Sequence, residues 1–157
     1  MEAQHITRFN VRVYGLLINE HQQILVTDEV FKNGGRATKF PGGGLDLGEG
    51  LRDGLAREYM EEAGVEITVV EHFYTTDFFQ PSFFDNDSQI ISVYYTCECA
   101  AWRSIKTSET KFDFMVIAGE EAESFRWVNL KDLDKETDII LPIDKVVVQM
   151  LMEKYKG

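Results

Sequence analysis

Between Pro41 and Val65 the chain reads PGGGLDLGEGLRDGLAREYMEEAGV, and no other stretch restricts its folding as much. Three consecutive glycines lead into a helical pattern that runs from about Glu49 to Ala63. Leu51, Leu55 and Tyr59 recur every four residues with Ala56 and Ala63 beside them, so one apolar stripe must meet a core. Gly64 follows where a helix end favours a left-handed residue. Glu58, Glu61 and Glu62 stand at i, i+3 and i+4, on one face and about 5–6 Å apart at Cβ. Like charges so placed repel by roughly 0.2–0.5 kcal/mol per pair. A face built only for solubility would mix signs, so this one suits a positive neighbour, and a hard divalent cation with oxygen ligands is the candidate. A plain solvated acidic face is the simpler alternative.

Charge narrows the partners. Asp and Glu outnumber Lys and Arg by 27 to 16, a formal net charge of −11. That balance argues against nonspecific nucleic-acid or anionic-membrane binding, which depends on clustered Lys and Arg. It leaves room for an anionic substrate where metal ions neutralise the site. The length of 157 residues suits a single domain, 1–157, with a core that needs no disulfide. Cys97 and Cys99 have no nearby histidine or further cysteine and read as reduced thiols. MEAQHITRFN has no signal-like apolar run, and no uninterrupted apolar stretch near 18–20 residues occurs, so the expectation is a cytoplasmic protein without a membrane span.

Around the glycine–helix stretch the chain reads as strands. Residues 9–18 and 23–27 are rich in β-branched and aromatic side chains and are expected to pair as a hairpin through the turn 19–22. A polar loop is expected over 28–38, then a short strand at Lys39-Phe40. Residues 65–70 and 73–79 look extended, 89–98 is the clearest strand, and 112–118 and 125–128 are further strands. Glu120-Glu121-Ala122-Glu123 reads as an acidic turn, and Leu130–Leu133 as one helical turn. Pro142 opens a last helix at an allowed first-turn position, with Ile143, Val146, Val147, Met150, Leu151 and Met152 on its apolar side.

Read as spacing, the central stretch is Gly43, five residues, Glu49, seven residues, Arg57-Glu58, a large residue, any residue, Glu61-Glu62, any residue, Gly64, Val65. This resembles the signature of the Nudix hydrolase family at every constrained position but one: Tyr59 stands where a bulky aliphatic is usual. Pro41, the strand pair before it, Trp127-Val128 with Leu130 and Leu133, and the last helix resemble that family more weakly.

The resemblance implies an α/β/α sandwich, a mixed β-sheet between helices. It also implies Mg²⁺- or Mn²⁺-dependent hydrolysis of the pyrophosphate link in a nucleoside diphosphate joined to another group X. Such substrates include NTPs, ADP-ribose or nucleotide sugars, and dinucleoside polyphosphates. On the matching positions, Glu58, Glu61 and Glu62 resemble the metal ligands, with Glu58 nearest the metal-bound water. Glu49 and the Gly42 carbonyl resemble further ligands, and Arg57 resembles the group that orients the glutamates.

A catalytic base outside the helix is expected at Glu121 or Glu123, although an exposed acidic turn explains both equally well. Lys32, Arg36 and Lys39 can meet substrate phosphates or be solvated loop charges. In the aromatic run 78–84, Phe79 is the candidate to stack a base; the same run can fill core or make a homodimer contact. The fold also admits a non-catalytic nucleotide- or sugar-phosphate-binding regulatory domain. Against that, no ligand glutamate is missing. An isoprenoid-diphosphate isomerase would need a cysteine over the substrate, which Cys97 and Cys99 do not establish.

Overall fold

The computed structural model describes residues 5–156. In chain order it contains β1 (Arg8–Leu17), β2 (Gln23–Val30), β3 (Arg36–Lys39), β4 (Gly42–Gly44), α1 (Leu51–Ala63), β5 (Thr68–Thr75), β6 (Ser88–Glu98), β7 (Ala122–Asn129) and α2 (Pro142–Lys154). A four-stranded mixed sheet has the order β4-β1-β6-β5, and an antiparallel sheet has the order β3-β2-β7. β1 and β6 run parallel at the centre of the mixed sheet, in register from Arg8↔Ser88 to Leu17↔Cys97.

Period-2 alternation on those two strands divides the core. Val13 and Leu17 of β1, with Val93, Tyr95 and Cys97 of β6, pack against Leu55 and Tyr59 of α1. Tyr14, Leu16 and Tyr94 face the other way and meet Ile143, Val147, Val148 and Leu151 of α2. The helices therefore cover opposite sides of the sheet, which gives the α/β/α sandwich. Among the described residues no helix is long and apolar enough to cross a membrane.

Four local expectations change. Residues 9–18 and 23–27 do not form an extended hairpin: Ile18↔Ile24 is an isolated bridge, after which β1 and β2 diverge into different sheets. The expected loop 28–38 is instead largely strand, because Asp28 to Val30 continue β2 and pair with both β3 and β7. Residues 112–118 form no strand. Phe112 adopts a left-handed φ of 52° and its N–H donates to the Asp28 carboxylate at 3.3 Å, so the segment turns away and Met115 to Ile117 stay exposed. Finally, Ala122 and Glu123 belong to β7 rather than to a turn.

Candidate active site

Local packing fixes α1 against the glycine strand. Gly64 ends the helix in the left-handed conformation, its N–H donating to the Met60 carbonyl. On the buried side the Tyr59 hydroxyl donates to the Gly15 carbonyl at 2.9 Å. A Cβ at Gly15 would stand 2.6 Å from the Tyr59 ring, so the glycine makes room for the unusual tyrosine. On the other side Gly43 does the same for the site: its Cβ would fall 2.7 Å from the Glu58 carboxylate. The helix carboxylate therefore lies directly on the β4 backbone.

Arg57 gathers the acidic groups. Its Nη2 and Nε donate to Glu49 Oε1 and Oε2 at 2.7 and 2.9 Å, a two-armed, charge-assisted contact. Nη1 donates to Glu58 at 3.2 Å and Glu61 at 3.1 Å, and Nη2 also reaches the Gly44 carbonyl at 3.2 Å. The bond to Arg57 and one from the Asp46 backbone N–H pull the Glu49 carboxyl down to about 2. Glu49 is thus an ionised anchor that holds Arg57 beside the helix.

A cleft of about 780 Å³ opens beside this fork, with Glu58, Glu62 and the β4 glycines on one wall and Glu29, Glu121 and Glu123 on another. Glu29 and Glu123 are direct cross-strand partners, an arrangement that like charges disfavour. Desolvation, then the nearby Glu123, Glu58 and Glu29, push the Glu62 carboxyl up to about 8. Glu123 rises to about 7 through desolvation and then Glu29, with Lys39 opposing. Both side chains still reach solvent, so the crowding of carboxylates bears on these shifts alongside desolvation.

Among the described residues no three acidic, histidine or cysteine side chains are drawn together as a metal cage. The donor set is nevertheless all oxygen, and the acid-rich cleft gains free energy from positive charge, so the residues fit a hard divalent cation.

Of the residues singled out in the sequence, Lys32, Lys39, Gly42, Glu58, Glu62, Glu121 and Glu123 line the cleft. Glu49, Arg57 and Glu61 form the adjoining fork. Arg36 and Phe79 do not line it: Arg36 lies over the Phe112 ring, and Phe79 is 61% exposed elsewhere. Phe83 and Phe84 of the same aromatic run reach the cleft instead, with Phe84 edge-on to Phe31 at 4.9 Å between centroids.

Sequence reading missed Arg12 and Glu29, and the available signal for Arg12 was a charge in the Tyr14–Leu16 core register of β1. Cys97 and Cys99 are buried free thiols. Desolvation pushes Cys97 up to about 12, and it packs in the α1 core rather than lining the cleft.

The sequence profile of the NUDIX domain matches residues 8–149. An RNA pyrophosphohydrolase of Novosphingobium aromaticivorans is 24% identical over 155 residues, covering 90% of this chain and 88% of that protein. The MutT protein from Methanosarcina mazei Go1 has a TM-score of 0.69 at 17% identity, covering 99% of this chain and 100% of that one. A NUDIX hydrolase from Nitrosomonas europaea gives 0.63 at 15%, with 94% and 88% covered. At those identities the structural likeness speaks to the fold. With the family profile running from β1 into α2, and its signature residues gathered on α1, the β4 glycines and the loop between them, this chain belongs to the Nudix hydrolase family, a class of hydrolases acting on pyrophosphate bonds.

Proposed function

We propose that this protein is a Mg²⁺- or Mn²⁺-dependent pyrophosphohydrolase acting on a small nucleoside diphosphate joined to another group X. The observation that carries the reading is the cleft in which Glu58 and Glu62 of α1 face Glu29 and Glu123 of the second sheet, with Lys39 on the same wall. Glu58 and Glu62 would hold the cation, with Glu49 and the Gly42 carbonyl as further ligands. When bound, the cation supplies charge neutralisation for the pyrophosphate and a lowered pKa for a coordinated water.

The chain's own residues do the rest. Arg57 keeps Glu49, Glu58 and Glu61 oriented, and Glu61 enters chiefly through that bond. Glu123, across the cleft from Glu58 and Glu62, would accept a proton from an attacking water, and Glu121 nearby is the alternative base. Lys39 donates to a phosphate oxygen. Phe83, Phe84 and Phe31 offer flat apolar surface for a base.

The test is turnover on a panel of NTPs, ADP-ribose, nucleotide sugars and dinucleoside polyphosphates, with and without EDTA. A short 5′-triphosphorylated RNA belongs in the panel because of the name of the Novosphingobium relative. Glu58→Gln and Glu62→Gln are expected to abolish a rate that Mg²⁺ restores to the chelated parent. Metal-independent turnover, or full activity in both variants, would overturn the reading.

A further inference from the structure

Arg12 carries a charge where the strand pattern calls for core. It lies on the face of β1 that also presents Tyr14 and Leu16. Its Nε donates to the Tyr14 hydroxyl at 2.6 Å, and its guanidinium carbon is 5.7 Å from the Tyr14 ring centre. Among the described residues no group accepts a hydrogen bond from either terminal nitrogen. A guanidinium presents donors in a planar fork that matches phosphate, and here the outer arms of the fork are free.

Lys39 completes the arrangement. It is only 6% exposed, and its Nζ stands 5.7 Å from the centre of the same Tyr14 ring and 6.0 Å from that of Phe31. The nearest carboxylate oxygen, on Glu29, is 3.8 Å away, beyond hydrogen-bonding distance. Two cations thus converge on one tyrosine, with Glu29 as a longer-range counter-charge and, among the described residues, no carboxylate hydrogen-bonded to either. Two like charges set close together repel, and an anion that accepts from both relieves that repulsion.

The surroundings limit what that anion can be. Arg12 and Lys39 line the acidic cleft on one side and a smaller cavity of about 40 Å³ on the other. That cavity has room for a water molecule or two, and among its lining residues the Tyr94 hydroxyl donates to Asp144. Little room is left past the two cations in that direction. Opposite Arg12 in the β1–β4 register stands Gly44, the third glycine of the run, where a Cβ would lie 3.7 Å from Arg12 Nη1. A longer side chain there would crowd the free arm, which gives the additional glycine a physical role.

We propose that Arg12 and Lys39 form a seat for a terminal phosphoryl group of the substrate, with Tyr14 as its base and Gly44 keeping its entrance clear. The seat rests on the pyrophosphohydrolase reading and adds a substrate class to it: phosphate chains that end in a free phosphoryl group, over diphosphates capped by organic groups at both ends.

The test pairs binding with kinetics. In calorimetry with Mg²⁺, inorganic pyrophosphate is expected to bind Arg12→Gln roughly ten- to a hundredfold more weakly than the parent, the scale of a lost charge-assisted contact. Arg12→Lys, which restores the charge, should recover part of that loss, and thermal melts of both variants verify folding. On a nucleoside triphosphate, Arg12→Gln should raise KM with kcat little changed, while the KM for ADP-ribose moves less. Equal pyrophosphate affinity in the parent and Arg12→Gln would overturn the seat, as would an equal KM increase on both substrates. If the parent hydrolyses nothing in the panel, the functional reading fails alone, and the calorimetry still decides the seat.

Discussion

Arg57 and Arg126 each grip a carboxylate with two nitrogens, but the settings differ. Arg126 Nε and Nη2 donate to Asp28 at 2.9 and 3.0 Å, and the two side chains are 6% and 0% exposed. Nη1 donates to the Glu136 carbonyl, and Asp28 also accepts from the Thr38 hydroxyl and the Phe112 N–H. The pair thus joins β2, β3 and β7 to two loops, with its donors and acceptors turned inward. Arg57 and Glu49 are 26% and 16% exposed, and Arg57 divides its donors among several carboxylates at the cleft. The same chemical contact is scaffold where buried, and an adjustable holder of site groups where water reaches it. Glu29 and Glu123, next in sequence to Asp28 and Ser124, point from the other face of the same strands into the cleft. The buried pair therefore supports the wall that the site uses.

Truncating Arg126 to alanine should give the largest effect. It leaves Asp28 buried without its partner and is expected to cost about 3–5 kcal/mol of stability, read by chemical denaturation. Hydrolysis per folded molecule should survive. A variant as stable as the parent would break the comparison. Arg57→Ala should do the reverse, lowering kcat/KM roughly 100-fold through misplaced carboxylates with little change in melting temperature.

Protons and metal sharpen the contrast at the cleft. Glu62 and Glu123 rise from a usual 4.5 to about 8 and about 7, so the folded chain holds protons that the unfolded chain releases. In chelator, stability should therefore be greatest at low pH, fall as pH rises from about 4.5 to about 8, and then level off as far as these groups contribute. Mg²⁺, which favours their ionised forms, should flatten that fall. Melting curves across pH with EDTA or Mg²⁺ measure it, and identical slopes would contradict the effect. The smallest change is Tyr59→Phe, which removes the bond to the Gly15 carbonyl and should cost about 1 kcal/mol, measured by denaturant titration with activity retained.

What could be read from the sequence was whatever depended on neighbours in the chain. The α1 stripe, β6, and the proline-opened α2 all show their period within a dozen residues. The glutamate–arginine register was equally legible, because α1 and the preceding loop carry all of it. Distant partners hid the rest. Asp28 looked like loop because the arginine that satisfies it lies 98 residues away. Residues 112–118 looked like strand because their composition gives no hint of the left-handed turn at Phe112. Within the aromatic run, density pointed to the right segment, but the turn around Ser82 sends Phe83 and Phe84, rather than Phe79, to the cleft. Arg12 was passed over because the strand reading gave its face no charged role.

The parallel pairing of β1 with β6 also bears on how the chain reaches this state. Each paired residue lies 80 positions from its partner, from Arg8↔Ser88 to Leu17↔Cys97. Closing so long a loop costs entropy before any contact repays it, and pairings of this kind slow folding. The glycine strand and α1 lie inside that loop. During synthesis α1 has only half its floor until β6 leaves the ribosome. Too short and too acidic to be stable as an isolated helix, α1 takes its lasting position beside the cleft only with the central strand pair.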